Sequence, residues 1–189
     1  MQKIPVYEVD PTMVDSATNS LIGFPTPAPS SELALAAAAG DVEALRTATA
    51  EELQKTDESA NTPLIWAADA GHAEAAAFLI DAGADINTRG YLGNTALNRA
   101  CRGGHLETVL ALLAAKANPD IPNGKMQYPL HFAAYKRHPK VVEAMLASGL
   151  CDLGVTDRKG RTAAEDTKDE KIRDMILAAS ASADKKQSL

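Results

Sequence analysis

The apolar positions of this chain recur in blocks at a step of 33 residues. Small pairs (Ala67/Ala68, Ala100/Cys101, Ala133/Ala134) are each followed at a fixed distance by larger ones (Leu79/Ile80, Leu112/Leu113, Met145/Leu146). Between the two kinds of pair lies a turn, Gly71-His72, Gly104-His105 or Arg137-His138. In front of them stand Thr62-Pro63-Leu64, Thr95-Ala96-Leu97 and Tyr128-Pro129-Leu130, and Thr162-Ala163-Ala164 follows 34 residues after the last. Gly83-Ala84-Asp85-Ile86-Asn87 aligns in turn with Lys116-Ala117-Asn118-Pro119-Asp120. Several landmarks in one register mark a structural repeat, in which each unit buries its apolar face against its neighbours. The pattern predicts two helices per unit, one lined with small residues and one with larger ones.

The local chemistry agrees. Thr62 suits a helix N-cap and Pro63 the first helical position. Gly71 and Gly104 suit the left-handed residue that ends a first helix. Glu74 and Glu107 fall in the first turn of the second helix, where negative charge is favoured. Some positions depart from the pattern. Ala60 and Met126 stand where a turn glycine is expected, which predicts altered turns, and Tyr128 replaces the capping threonine. Pro139 is tolerable as a first helical residue.

At these residues the sequence resembles the ankyrin-repeat family. The resemblance covers residues 31–178 and implies an all-α solenoid of helix–turn–helix units with projecting β-turn fingers, used to bind other proteins. The expected layout is three full repeats, 57–88, 89–122 and 123–155, between an N-cap at 31–56 and a C-cap at 156–178. An extended, proline-rich arm (1–30) precedes the repeats and a frayed polar tail (179–189) follows them. A solenoid's end units must face water, so degenerate units are expected there. In the C-cap, Asp169 precedes Arg173 by four residues and predicts a helix-supporting pair.

Composition sharpens this picture in two respects. Alanine supplies 36 of the 189 residues and aromatics only 4%, which fits thin first helices that stack closely. The net charge of −6 averages two unlike halves. Residues 1–88 hold 14 acids and 3 bases, net −11, whereas residues 89–189 hold 11 acids and 16 bases, net +5. The negative total argues against a general nucleic-acid binder, and no apolar run approaches the roughly 20 residues of a membrane span. Two cysteines 50 residues apart fit a reducing compartment better than a disulfide scaffold.

Candidate chemistry is sparse. The turn histidines 72, 105 and 138 belong to successive repeats, too far apart to share a metal, and His131 is the repeat histidine after Pro-Leu. Cys101 and His105 are four residues apart, but the repeat buries one and places the other past the helix end. No phosphate-binding glycine loop, paired-cysteine metal motif or nucleophile elbow is present. The expectation is a protein that is not an enzyme and has no cofactor, no metal and no small-molecule substrate.

The resemblance places binding at finger tips and exposed first-helix positions. Asn61, Asp69 and Asn94 fall at such places. The favoured face for an acidic protein partner is Tyr91, Leu92, Arg102, Lys125, Tyr135, Lys136, Arg137, Arg158 and Lys159, because tyrosine and arginine anchor interfaces and bases steer acidic partners. Trp66 is expected to pack between helices. In the arm, Ile4, Tyr7 and Phe24 are candidate anchors onto the domain or a partner. Residues 1–30 offer neither the basic start nor the continuous apolar core of a secretory signal. The expected setting is therefore intracellular and cytoplasmic, cytoskeleton or cilium included. The expected role is an adaptor, or a small fixed subunit of an assembly such as a cytoskeletal or axonemal one. Alternatives are a regulatory inhibitor and a nucleic-acid-associated regulator using the basic half.

Overall fold

In the computed structural model of the chain, residues 28–187 are described, with side chains through Ala183. The arm anchors Ile4, Tyr7 and Phe24 lie outside the described residues. All regular elements among the described residues are helical. Helix α1 (Glu32–Ala39) and α2 (Val42–Arg46) form the N-cap. Three pairs follow: α3 (Pro63–Ala70) with α4 (Ala73–Asp81), α5 (Ala96–Gly103) with α6 (Leu106–Ala114), and α7 (Pro129–Tyr135) with α8 (Pro139–Ala147). Helices α9 (Ala163–Asp166) and α10 (Glu170–Gln187) close the stack. The odd-numbered helices pack side by side in one layer and the even-numbered ones in a second.

Local signals place the helix ends. Thr62 accepts from the Ile65 N–H at 3.4 Å and Thr95 from the Asn98 N–H at 3.2 Å, each satisfying an otherwise orphan donor. Pro63, Pro129 and Pro139 open α3, α7 and α8. Tyr128 makes no side-chain cap. Gly71 and Gly104 end α3 and α5 in the left-handed region, at φ 81° and 77°.

The core explains the alanine content. Ala34, Ala37, Ala67, Ala68, Ala100, Cys101, Ala133 and Ala134 are wholly buried between odd helices, while Leu79, Leu112 and Met145 fill the space under the even ones. Trp66 is buried too, its indole N–H donating to Asp57 Oδ2 at 2.7 Å.

The fingers correct the first expectation. Ala60 and Met126 do not alter their turns: they hold φ 59° and 58°, close to Gly93 (72°) and Gly160 (74°) at the matching places. All four turns close through the same hydrogen bond, from Ala60, Gly93, Met126 and Gly160 back to the carbonyls of Asp57, Gly90, Asn123 and Asp157 at 2.8–3.0 Å. The missing glycine appears as backbone strain, since a Cβ is disfavoured in that region.

The C-terminal end gives two further corrections. The 179–189 segment, expected to fray, continues α10 as far as Gln187. Ala178, Ala179, Ala181 and Ala183 are strong helix formers, and the helix is anchored upstream by buried Ile172 and Ile176. The Asp169–Arg173 pair does not form. Asp169 instead caps α10 by accepting from the Ile172 N–H at 3.2 Å, and Arg173 donates to the Thr167 carbonyl at 3.0 Å.

Candidate partner-binding surface

Successive repeats are tied by two ladders, and these decide which polar residues remain free. In the finger ladder, the Tyr91 N–H donates to Asn61 Oδ1 (2.9 Å) and Asn123 Nδ2 to Asn94 Oδ1 (3.3 Å). The Asn118 N–H likewise donates to Asn87 Oδ1 (2.9 Å), and that of Asp152 to Asp120 Oδ1 (3.0 Å). Asn61 and Asn94 are therefore buried structural residues rather than exposed finger positions.

The second ladder uses the turn histidines. Each stands at the N-cap position of an even helix without capping it through its side chain, and its Nε2 donates to a carbonyl near the end of the preceding repeat's odd helix. His72 reaches Ala38 (3.0 Å), His105 reaches Asp69 (3.0 Å) and His138 reaches Arg102 (3.2 Å). A carbonyl only accepts, so Nε2 carries the proton in each ring. His131 serves in a comparable way, its Nε2 donating to the Arg161 carbonyl at 2.9 Å. All four histidines are thus committed to the stack.

The cations divide into locked and free. Arg102 bonds Asp69 Oδ1 at 2.9 Å, and Arg99 approaches the same oxygen at 3.5 Å. Arg99 lies in the register of Trp66 and only 4% of its side chain is exposed. Burial draws its guanidinium below the ordinary arginine value, opposed by the Asp69 carboxylate. Arg161 bonds Asp157 Oδ2 (2.7 Å) and Asp166 Oδ1 (2.6 Å), and the Asp157 hydrogen bond raises its affinity for the proton. Burial alone would raise Asp157, but hydrogen bonds from Arg161 and Lys159 overbalance it and hold the carboxyl below its ordinary value.

Of the residues expected to bind a partner, Arg102 is thus tied to Asp69, with 39% of its side chain exposed. Tyr91 and Lys125 are half-buried in their finger turns, and Leu92, in the same register as Lys125, is exposed and held at φ 56°. Arg158 and Lys159 are exposed on the last finger. Tyr135, Lys136 and Arg137 form one exposed group at the end of α7, with Lys136 Nζ 6.0 Å from the Tyr135 ring centre. The structure adds a residue that the sequence did not single out. Lys168, from the segment between α9 and α10, lines a cavity of about 190 Å³ with Tyr135 and Arg137. Its signal in the sequence was the step from His138 to Asp169, 31 residues rather than 33.

Cys101 is wholly buried and Cys151 partly so, and burial pushes the Cys151 thiol up to about 12 and that of Cys101 further up. Thiols held protonated in this way are poor nucleophiles. Among the described residues, no three His, Cys, Asp or Glu side chains are placed to hold a metal ion. No helix among them is long and apolar enough to cross a membrane.

Comparison with known proteins agrees with the geometry. Residues 33–123 match the family described as ankyrin repeats (3 copies), and residues 112–165 match ankyrin repeats (many copies). Among curated relatives, the E3 ubiquitin-protein ligase XBAT33 of Arabidopsis thaliana is 43% identical over 93 residues, covering 48% of this chain and 18% of that protein. The probable E3 ubiquitin-protein ligase XBOS32 of Oryza sativa subsp. japonica is 42% identical over 90 residues, 46% of this chain and 18% of the relative. The ankyrin repeat and KH domain-containing protein mask-1 of Caenorhabditis elegans is 35% identical over 88 residues, 47% of this chain and 3% of the relative. The chain therefore spans less than a fifth of the length of these relatives. With its paired helices, four matching fingers and histidine ladder, and with the two family matches running together from residue 33 to residue 165, the chain belongs to the ankyrin-repeat family.

Proposed function

We propose that this ankyrin-repeat, protein-binding module takes an acidic segment of a partner protein along its basic second half, without catalysing a reaction on it. The carrying observation is the division of cations. Those of α5 are both engaged by Asp69, whereas Lys136, Arg137, Arg158 and Lys159 form no ion pair among the described residues. Unpaired, exposed bases beside an exposed tyrosine supply both steering and an anchor. The thiols of Cys101 and Cys151, held protonated by burial, suit a non-catalytic role, and their being free suits an intracellular, reducing setting.

The test is affinity capture with the wild type and with the triple variant Lys125→Glu, Lys136→Glu, Arg158→Glu. The captured acidic partners are lost while helical circular dichroism is kept; an unchanged set of partners would reject the proposal. Deleting residues 1–30 separates a fixed subunit of an assembly, cytoskeletal or axonemal included, which loses incorporation, from an exchanging adaptor, which keeps its affinity.

A second function takes its ground from the relatives' names. A module that matches part of E3 ubiquitin-protein ligases would bring a partner to ubiquitin transfer carried out on another chain. It predicts a ligase among the captured proteins.

A further inference from the structure

The odd helices shorten toward the carboxyl end: eight residues in α3 and α5, seven in α7 and four in α9. Helix α9 stops at Asp166, and the chain crosses through Thr167 and Lys168 to the cap of α10. The last turn of α7 therefore loses the neighbour that α3 and α5 have. It also loses its rung of the histidine ladder. His72, His105 and His138 reach the carbonyls of residues 38, 69 and 102, so the next rung in register would fall on Tyr135. The chain has no histidine after His138. Asp169 stands at the capping place, and Thr167 Oγ1 donates instead to the Ala134 carbonyl at 2.9 Å. The space left over is the cavity lined by Tyr135, Arg137 and Lys168.

Arg137 makes that space unusual. It occupies the place of Gly71 and Gly104 at φ 60°, a conformation a side chain adopts at a cost. Among the described residues neither its guanidinium nor the Lys168 ammonium enters an ion pair, so no ion pair within the stack offsets the strain. Two free cations and one tyrosine line one hollow, with Asp169 the next residue after Lys168.

We propose that this hollow is the seat for one carboxylate side chain of the partner's acidic segment, gripped by Arg137 and Lys168, with the Tyr135 hydroxyl as a further donor. It rests on the function proposed above and names the point at which that surface is specific. The lining is cationic, so it takes an anion, and a carboxylate is the anion that an acidic protein segment itself supplies. The Arg137 fork suits bidentate binding of a carboxylate, and Lys136 stands beside the hollow to steer it.

The probe is a fluorescein-labelled peptide of alternating glutamate and alanine, followed by anisotropy. The wild type binds it saturably, and Arg137→Gly and Lys168→Ala each weaken binding at least about fivefold, whereas Lys55→Ala in the distant N-cap changes it less than about twofold. Arg137→Gly also melts no lower than the wild type, because glycine relieves the positive φ. Binding by Arg137→Gly within about twofold of the wild type would overturn the seat, as would no binding by the wild type. A phosphoserine peptide of equal length that binds more tightly, with the same dependence on Arg137, overturns the carboxylate. Partners lost from the triple finger variant but retained by Arg137→Gly leave the basic surface standing and remove the hollow alone.

Discussion

Gly104 and Arg137 hold the same place in successive repeats and similar backbone angles, φ 77° and 60°, yet they differ in what lies above them. Over Gly104 lies the His138 ring, so close that a Cβ added there would stand 2.6 Å from it. Over Arg137 no histidine follows, and its side chain reaches the open hollow. A glycine in this turn thus answers two demands at once, a left-handed backbone and the approach of the next histidine. Where the ladder stops, only the first demand remains, and a long cation can meet it at a modest cost. The surrounding charges differ in the same direction: Asp69 pairs with both arginines of α5, whereas among the described residues no acid pairs with Lys136 or Arg137.

This contrast can be broken most sharply at Gly104. Gly104→Ala should cost about 3 kcal/mol in urea denaturation, combining the positive φ with overlap of the His138 ring. Adding His138→Ala should recover part of that loss, and a single-variant cost below about 1 kcal/mol would remove the ring from the explanation. Next in size is Asp69→Ala, which leaves Arg99 nearly buried without a counterion. A loss of about 2 kcal/mol is expected, less than for a fully buried pair because a quarter of the Asp69 side chain is exposed. The same variant frees Arg102, so the glutamate peptide should gain affinity for the α5 side and reduce the contrast between the two ends.

Acid should act on the C-cap next. The Asp157 carboxyl is held below its ordinary value in the fold, so it contributes stability above its unfolded pKa of about 3.9 and loses it as pH falls through the lower folded value. A fall in melting temperature confined to pH values below about 4, and smaller in Asp157→Asn, is the expected record. The smallest effect is a gain. Tyr128→Thr supplies the cap that α7 lacks and should stabilise by about 1 kcal/mol; no gain would mean that Tyr128, whose ring lies 5.5 Å from that of His131, already compensates through packing.

The repeat boundaries, the helix ends and the buried small residues were legible in the sequence because their causes are local. Thr62 caps the helix that it precedes, and Gly71 ends the helix that it follows. The same locality shows why other features were not legible. Arg102 reads as a surface cation until Asp69, 33 residues earlier, is placed beside it, and Asn61 reads as an exposed finger position until the next finger's N–H meets it. Ala60 and Met126 suggest altered turns by local propensity alone, but the stack holds both in the strained conformation. The role of Lys168 depended on α9 ending a turn early, a three-dimensional consequence of a shift of only two residues in the repeat step.

The histidine ladder also has a direction. Each turn imidazole clasps the repeat before it and none clasps the end of α7, where the ties to the C-cap come instead from His131 and Thr167. In a chain whose repeats touch only their neighbours, such an arrangement frays from one side. Amide exchange should be fastest around α9 and the end of α7 and slowest in α3 and α5. A partner seated in the hollow would cover the end of α7, so recognition and stiffening of the carboxyl end would become a single event.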